Sequence, residues 1–363
     1  MSSEPDLPTA GRCQDPARDS EARARALGVS REAIDVYRAS DVLDLHLDSF
    51  IWSRVLGYDL RRRHRHGLFG RHFYGQVDFP RIREAGITGG VWSITTNPLQ
   101  PRARRTEVFL ANLTRLRAIF ASVPDGFAVV RNLAEYRAAR AAGRHGAFLG
   151  IQGGSALDPE TLDRIPDDAI LRITLVHLYS SALGVTSSPA ALRRRNDGLS
   201  ELGRDYVRRL NEKRIFLDLA HINRAGFFDA LSVHDRSQPV LVSHTGVSGV
   251  HPHWRNLDDE QLRAVADLGG TVGVMYQASF LGRGPCTADT VVDHLEHIVK
   301  TVGEDHASLG SDWDGAIQPP PELASCLDLP RLADRMLRRG WSGERIGKIL
   351  GGNFLRAVEM LRG

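Results

Sequence analysis

The stretch Asp41-Val42-Leu43-Asp44-Leu45-His46-Leu47-Asp48-Ser49 places an imidazole and a carboxylate two residues apart near the end of an apolar run. Side chains at i and i+2 of a strand leave by one face, so His46 and Asp48 can close on a common cation. An isolated His-x-Asp also reads as a hydrogen-bonded histidine at a strand end. The metal reading gains weight from later apolar runs that finish in ligand-type residues: Gln152, His177, His221, His244 and Asp312. Neutral imidazoles with carboxylates suit zinc, and an open coordination position leaves room for water. Asp312 is the candidate base that takes the water proton and later returns it to a leaving amine.

Holding these groups together requires strands whose ends meet. Eight apolar runs have strand character: 41–48, 86–93, 147–152, 170–177, 215–221, 240–244, 271–276 and 307–312. Helical spacing of apolar residues falls mostly between them, at 104–121, 133–142, 200–211, 224–233, 258–268 and 290–302. A short helix capped by Ser30 precedes the first strand, and 329–361 reads as helical with breaks at Gly340 and at Gly351-Gly352. This is the count of an α/β fold of the (β/α)8 TIM-barrel type, in which catalytic groups sit at the C-terminal strand ends. The candidate ligands occupy that position on six different strands, and a random scatter of histidines would not collect there.

With 363 residues, 42% hydrophobic and 25% charged, the chain can bury a large core. Residues 1–29 are expected to be a loosely ordered tail and 30–363 one barrel domain. The net charge of +3 is small and scattered, so nucleic acid is not the expected partner. The run Arg61-Arg62-Arg63-His64-Arg65-His66 reads as a solvated loop or as a patch for an anionic ligand. No apolar signal core and no stretch of roughly 18 apolar residues is present, so neither secretion nor a membrane is expected. Cys13, Cys286 and Cys326 have no metal-site spacing and suggest no disulfide framework, which fits a cytoplasmic protein.

Several stretches together resemble the membrane (renal) dipeptidase family of zinc peptidases, within the amidohydrolase superfamily. They are Asp44 to Asp48, Gly75 to Arg81, Trp92-Ser93, Leu175 to His177, Asp218 to His221, Pro239 to Thr245, Arg255 to Leu257, Gly310 to Gly315 and Gly351 to Arg356, collinear from about residue 30 to the C-terminus. The resemblance implies His46 and Asp48 on one zinc and His221 and His244 on a second. It implies His177 facing the oxyanion that develops on the scissile carbonyl, Arg255 pairing with the substrate's terminal carboxylate, and a homodimer. An arginine fork suits a carboxylate because it donates two parallel hydrogen bonds. Tyr276, at the end of the seventh strand, reads equally as a substrate-pocket residue and as core packing. His251 and His253 read as added ligands, specificity residues or ordinary loop residues.

One position departs from the family. Where the family carries a glutamate bridging two zincs, this chain has Gln152-Gly153-Gly154. An amide offers one neutral oxygen and an NH2 group, so it offsets the repulsion between two cations less well. Only Lys213, Lys300 and Lys348 are lysines, so no carbamylated lysine can bridge at the third or fourth strand. Three outcomes stay open: two zincs with Gln152 as a poor bridge, one zinc on His46, Asp48, His221 and Asp312, or a barrel that only binds. The expected function is zinc-dependent hydrolysis of an amide bond in a dipeptide-like small molecule with a free carboxylate. The alternatives are a binding or regulatory barrel and a mononuclear amidohydrolase acting on a non-peptide substrate.

Overall fold

The strand expected around His46 forms over Leu43–Leu47 (β1), and every later apolar run also produces a strand. They are β2 (Gly89–Thr95), β3 (Phe127–Val129), β4 (His145–Gln152), β5 (Ile170–Thr174), β6 (Phe216–Asp218), β7 (Leu241–Thr245), β8 (Thr271–Val274) and β9 (Ala307–Leu309). The computed structural model describes residues 16–64, 73–97, 100–189, 191 and 197–363. All pairings are parallel, in the order β1-β2-β4-β5-β6-β7-β8-β9, with β3 alongside the start of β4. The ends meet where Leu47 bridges Trp313 and the Asp48 amide donates to the Trp313 carbonyl at 3.0 Å. Eight strands thus make the nearly closed parallel barrel that the helix and strand periodicities predict. β3 is the addition: its apolar run, 127–130, is shorter than the runs 215–221 and 307–312 that flagged the equally short β6 and β9.

Helix starts follow the local chemistry. Ser30 accepts from the Ala33 amide, Asn132 from Glu135, Ser200 from Gly203 and Asn223 from Gly226, each satisfying a donor that the first helical turn leaves open. Asp258 and Gln261 form a reciprocal capping box. The expected break at Gly351-Gly352 does not occur, because a π-helical turn over Lys348–Gly352 runs straight into the helix Asn353–Arg362. A Cβ on Gly351 would lie 2.6 Å from the Asp41 carbonyl oxygen, so the glycine serves close approach to β1 and does not stop the helix. Phe354 from that last helix packs edge-on against Phe148 at 5.6 Å and near Phe216, closing the barrel at the end opposite the ligand-bearing strand ends.

The region expected as a tail contains the helix Pro16–Leu27, tied down by Arg23, which donates to the carbonyls of Glu84 and Ala85. Residues 1–15, Cys13 among them, lie outside the described residues. Helices Phe50–Val55 and Phe79–Ala85 form within what the sequence suggests is one long loop. In the basic run, Arg61 pairs with Asp59 and Arg63 with Glu84, and the His64 ring stacks on Tyr58. Arg65 and His66 lie outside the described residues. Among the described residues no helix is long and apolar enough to cross a membrane.

Candidate metal centre

Parallel closure brings the ends of β1, β4, β6, β7 and β9 to one mouth. His46 is the penultimate residue of β1 and Asp48 follows it, Gln152 ends β4, and His244 lies within β7. His221 and Asp312 come three residues after β6 and β9, both in the left-handed backbone region, with φ of 67° and 63°. Non-glycine residues hold that conformation at a cost, and two such residues in one site mark backbone shaped for side-chain aim. Gly315 makes room for one of them, since a Cβ there would fall 2.3 Å from Asp312 Oδ1.

The side chains converge. Ligand atoms of His46, His244 and Asp312 all lie within 4.8 Å of one another. His46 Nε2 is 3.4 Å from Asp48 Oδ2 and 3.6 Å from Asp312 Oδ1. His221 Nε2 and His244 Nε2 face each other at 2.8 Å. One end of the Gln152 amide lies 2.9 Å from Thr95 Oγ1, and the other 3.3 Å and 3.5 Å from those two imidazole nitrogens. The His177 ring stands edge-on to His221 with centroids 4.7 Å apart.

The residues beneath this cage set its tautomers. Arg172, fully buried on β5, donates to Asp218 at 3.0 Å, Thr174 at 2.7 Å, Ser93 at 2.6 Å and His46 Nδ1 at 2.6 Å. A guanidinium only donates, so Nδ1 of His46 carries its lone pair and Nε2 bears the ring proton. His244 is arranged the opposite way. Ser243 gives its hydroxyl proton to Asp218 at 2.6 Å and so accepts from His244 Nδ1 at 2.8 Å, which leaves the Nε2 lone pair aimed into the cage.

Burial pushes His221 and His244 well below the usual histidine range, with Arg255 and His46 adding repulsion, so both rings stay neutral. Burial, with the Asp48 charge beside it, raises the Asp312 carboxyl well above the ordinary range. Burial works against the charge on Asp48 too, but its contacts with His46 and Thr95 prevail and hold it low. His177 is pushed down to about 4 by burial, so it is a neutral hydrogen-bonding group.

This donor set fits a divalent cation. It offers imidazole nitrogens and carboxylates together, and His46 Nε2 and His221 Nδ1 are buried with no hydrogen-bond partner among the described residues. The fit is best on the His244 side, where the tautomer already exposes a lone pair.

Two further predicted residues occupy different places. Arg255 is buried, donates to the His244 carbonyl at 2.6 Å and keeps Nε unpartnered. Tyr276 is buried edge-on against Trp313, centroids 5.3 Å apart, in the main hydrophobic core. The loop histidines His251 and His253 stack with each other, and His253 also stacks on Phe280. The supporting groups Arg172, Thr95 and Thr174 have no role in the sequence reading. Arg172 and Thr174 did leave a signal, as polar residues alternating inside the apolar run Ile-Leu-Arg-Ile-Thr-Leu.

Comparison with known proteins follows the same lines. Residues 30–362 match the family model described as membrane dipeptidase, peptidase family M19. The chain is 35% identical over 167 residues to an uncharacterized Klebsiella pneumoniae protein in the pqqA 5' region, a match covering 45% of this chain and 60% of that one. It is 28% identical over 319 residues to the dipeptidase ataJ of Aspergillus terreus, covering 79% of this chain and 77% of that one. Its fold superposes with a TM-score of 0.77 on a Rhodobacter sphaeroides metallopeptidase liganded with a phosphinate mimic of the dipeptide L-Ala-D-Ala, at 24% identity, covering 89% of this chain and 99% of that one.

Proposed function

Because the chain belongs to the membrane dipeptidase family, peptidase family M19, we propose that it is a metal-dependent hydrolase of the amide bond in a dipeptide or dipeptide-like molecule with a free carboxylate. The observation that carries this reading is the convergence of His46, His244 and Asp312 ligand atoms within 4.8 Å, beside His221 and Asp48. The naming of an Aspergillus relative as a dipeptidase, and the dipeptide mimic in the Rhodobacter protein, support the substrate class.

His46, Asp48, His221 and His244 would hold zinc, with Gln152 beside them. A cation held there supplies Lewis acidity toward the scissile carbonyl and toward water. The chain's own groups do the rest. Asp312, raised above the ordinary carboxylate range, is basic enough to take a proton from the attacking water and acidic enough to return it to the leaving amine. His177, neutral and edge-on to His221, donates an N–H to the oxygen on which charge develops. Arg255, charged although burial brings its pKa down to about 10, turns unpartnered Nε toward the substrate's terminal carboxylate.

A second reading draws on Gln152 and Arg172. The first removes a negative ligand, and the second occupies the nitrogen of His46 opposite the cage, so one ion or weak turnover becomes the alternative. Zinc-reconstituted protein assayed on a panel of L,L and L,D dipeptides separates the two. We expect hydrolysis to free amino acids that a chelator stops. A protein that retains zinc and hydrolyses none of the panel is a binding barrel or acts on another amide.

A further inference from the structure

Thr95 and Gln152 are register partners in the β2–β4 ladder, so their side chains leave the sheet side by side, and both are buried. Thr95 Oγ1 lies 2.6 Å from Asp48 Oδ1 and 2.9 Å from the Gln152 amide. A threonine hydroxyl has one proton to give. Asp48 also faces the Nε2 proton of His46, because Arg172 fills the other ring nitrogen. That contact is long, 3.4 Å, so Thr95 supplies the short hydrogen bond to Asp48, and the Thr95 proton goes to this charged acceptor at 2.6 Å in preference to the neutral amide at 2.9 Å. What remains on Thr95 is lone pairs. Only the NH2 end of Gln152 can bond to them, and the side-chain amide must be turned accordingly.

We propose that Thr95 is a positioning residue that holds the Gln152 amide with its nitrogen turned away from the cage and its carbonyl oxygen toward His221 and His244. Gln152 then serves as a neutral oxygen ligand in the place of a carboxylate. In the structure the amide stands the other way, with Oε1 2.9 Å from Thr95 Oγ1 and Nε2 3.3 Å and 3.5 Å from the imidazole nitrogens; these are poor hydrogen-bond lengths, and with the Thr95 proton on Asp48 two unprotonated oxygens face each other, which exchanging the two amide ends relieves. The inference rests on the metal-centre reading above.

Cobalt(II) titration of the metal-free protein, followed by its visible absorption and by chelator competition, tests it. In Thr95→Val we expect affinity to fall about tenfold or more, with a changed cobalt spectrum, and in Thr95→Ser both are restored. In a Gln152→Ala background the Thr95→Val change should lose most of its effect, which separates action through Gln152 from action through Asp48. An unchanged spectrum and affinity in Thr95→Val, no rescue by serine, or an undiminished effect without Gln152 each overturns the inference. Wild-type protein that takes up no cobalt overturns the metal centre itself, and this inference with it. Should Thr95→Val fail to fold, neutron diffraction from wild-type crystals decides: two deuterons on the Gln152 atom next to Thr95 are expected, and none there refutes it.

Discussion

One strand, β4, joins two ends of the barrel that handle polar groups in opposite ways. Its first residue, His145, is buried with both ring nitrogens used: Nδ1 donates to the Ile87 carbonyl at 2.9 Å, and Nε2 accepts from Trp92 Nε1 at 3.1 Å. Near it opens a cleft of about 490 Å3 lined by Arg117, Arg131, Glu135, Arg144 and Asp167, where Arg131 pairs with Glu135 and Arg117 with Asp167 at the surface. Its last residue, Gln152, enters the mouth where, among the described residues, His46 and His221 each keep a buried nitrogen without a partner. The His145 end is chemically settled, and the Gln152 end holds buried groups that still need a ligand. Convergence of incompletely satisfied buried groups is what locates this site.

Removing His244 is the strongest way to break that contrast. In His244→Ala we expect metal content and hydrolysis both to collapse, with activity down at least about 100-fold, whereas Asp312→Asn should keep more of its metal while losing a factor of about 100 to 10,000 in kcat. Metal analysis of both variants beside steady-state kinetics checks this. If Asp312→Asn retained full activity, the base would have to be another group.

A smaller effect sharpens the contrast from the other end. His145 titrates at about 4 in the folded chain because burial disfavours its charge, against an ordinary value of 6.5. Below 6.5 the unfolded chain takes up a proton that the folded one refuses, so stability is complete above that pH and falls as the pH drops toward 4. His145 should cost about 3 kcal/mol over that span, and His294, held by Val247 and Leu281 and also at about 4, a similar amount. Urea unfolding of metal-free protein at several pH values measures this, and His145→Gln should flatten the curve. An equal slope in the variant would assign the acid sensitivity elsewhere.

The weakest response belongs to the open cleft. Glu135→Gln breaks an exposed pair with Arg131, and we expect less than about 1 kcal/mol in stability and no change in hydrolysis. A tenfold loss of activity from that substitution would mean that the two ends are coupled.

The barrel was legible because its signals are periodic. Alternation and helical spacing mark eight of the nine strands and most of the helices, and the ligand-type residues recur at the strand ends that later meet. The misses have local causes. β3 lies in an apolar run of only four residues, 127–130, Gly351 answers to a neighbouring carbonyl oxygen, and the helix Pro16–Leu27 is held by Arg23 reaching residues 84 and 85.

By itself, the sequence determined which residue types could bind a cation and in what order they arrive, together with the substitution at Gln152. Only the tertiary structure decided how each is presented. It set the tautomers of His46 and His244 through Arg172 and Ser243, bent the backbone at His221 and Asp312, and brought Thr95 between Asp48 and Gln152. The physical reason is that spacing fixes the face a side chain leaves by. The direction of a lone pair or proton depends on donors and acceptors supplied by strands far apart in the chain.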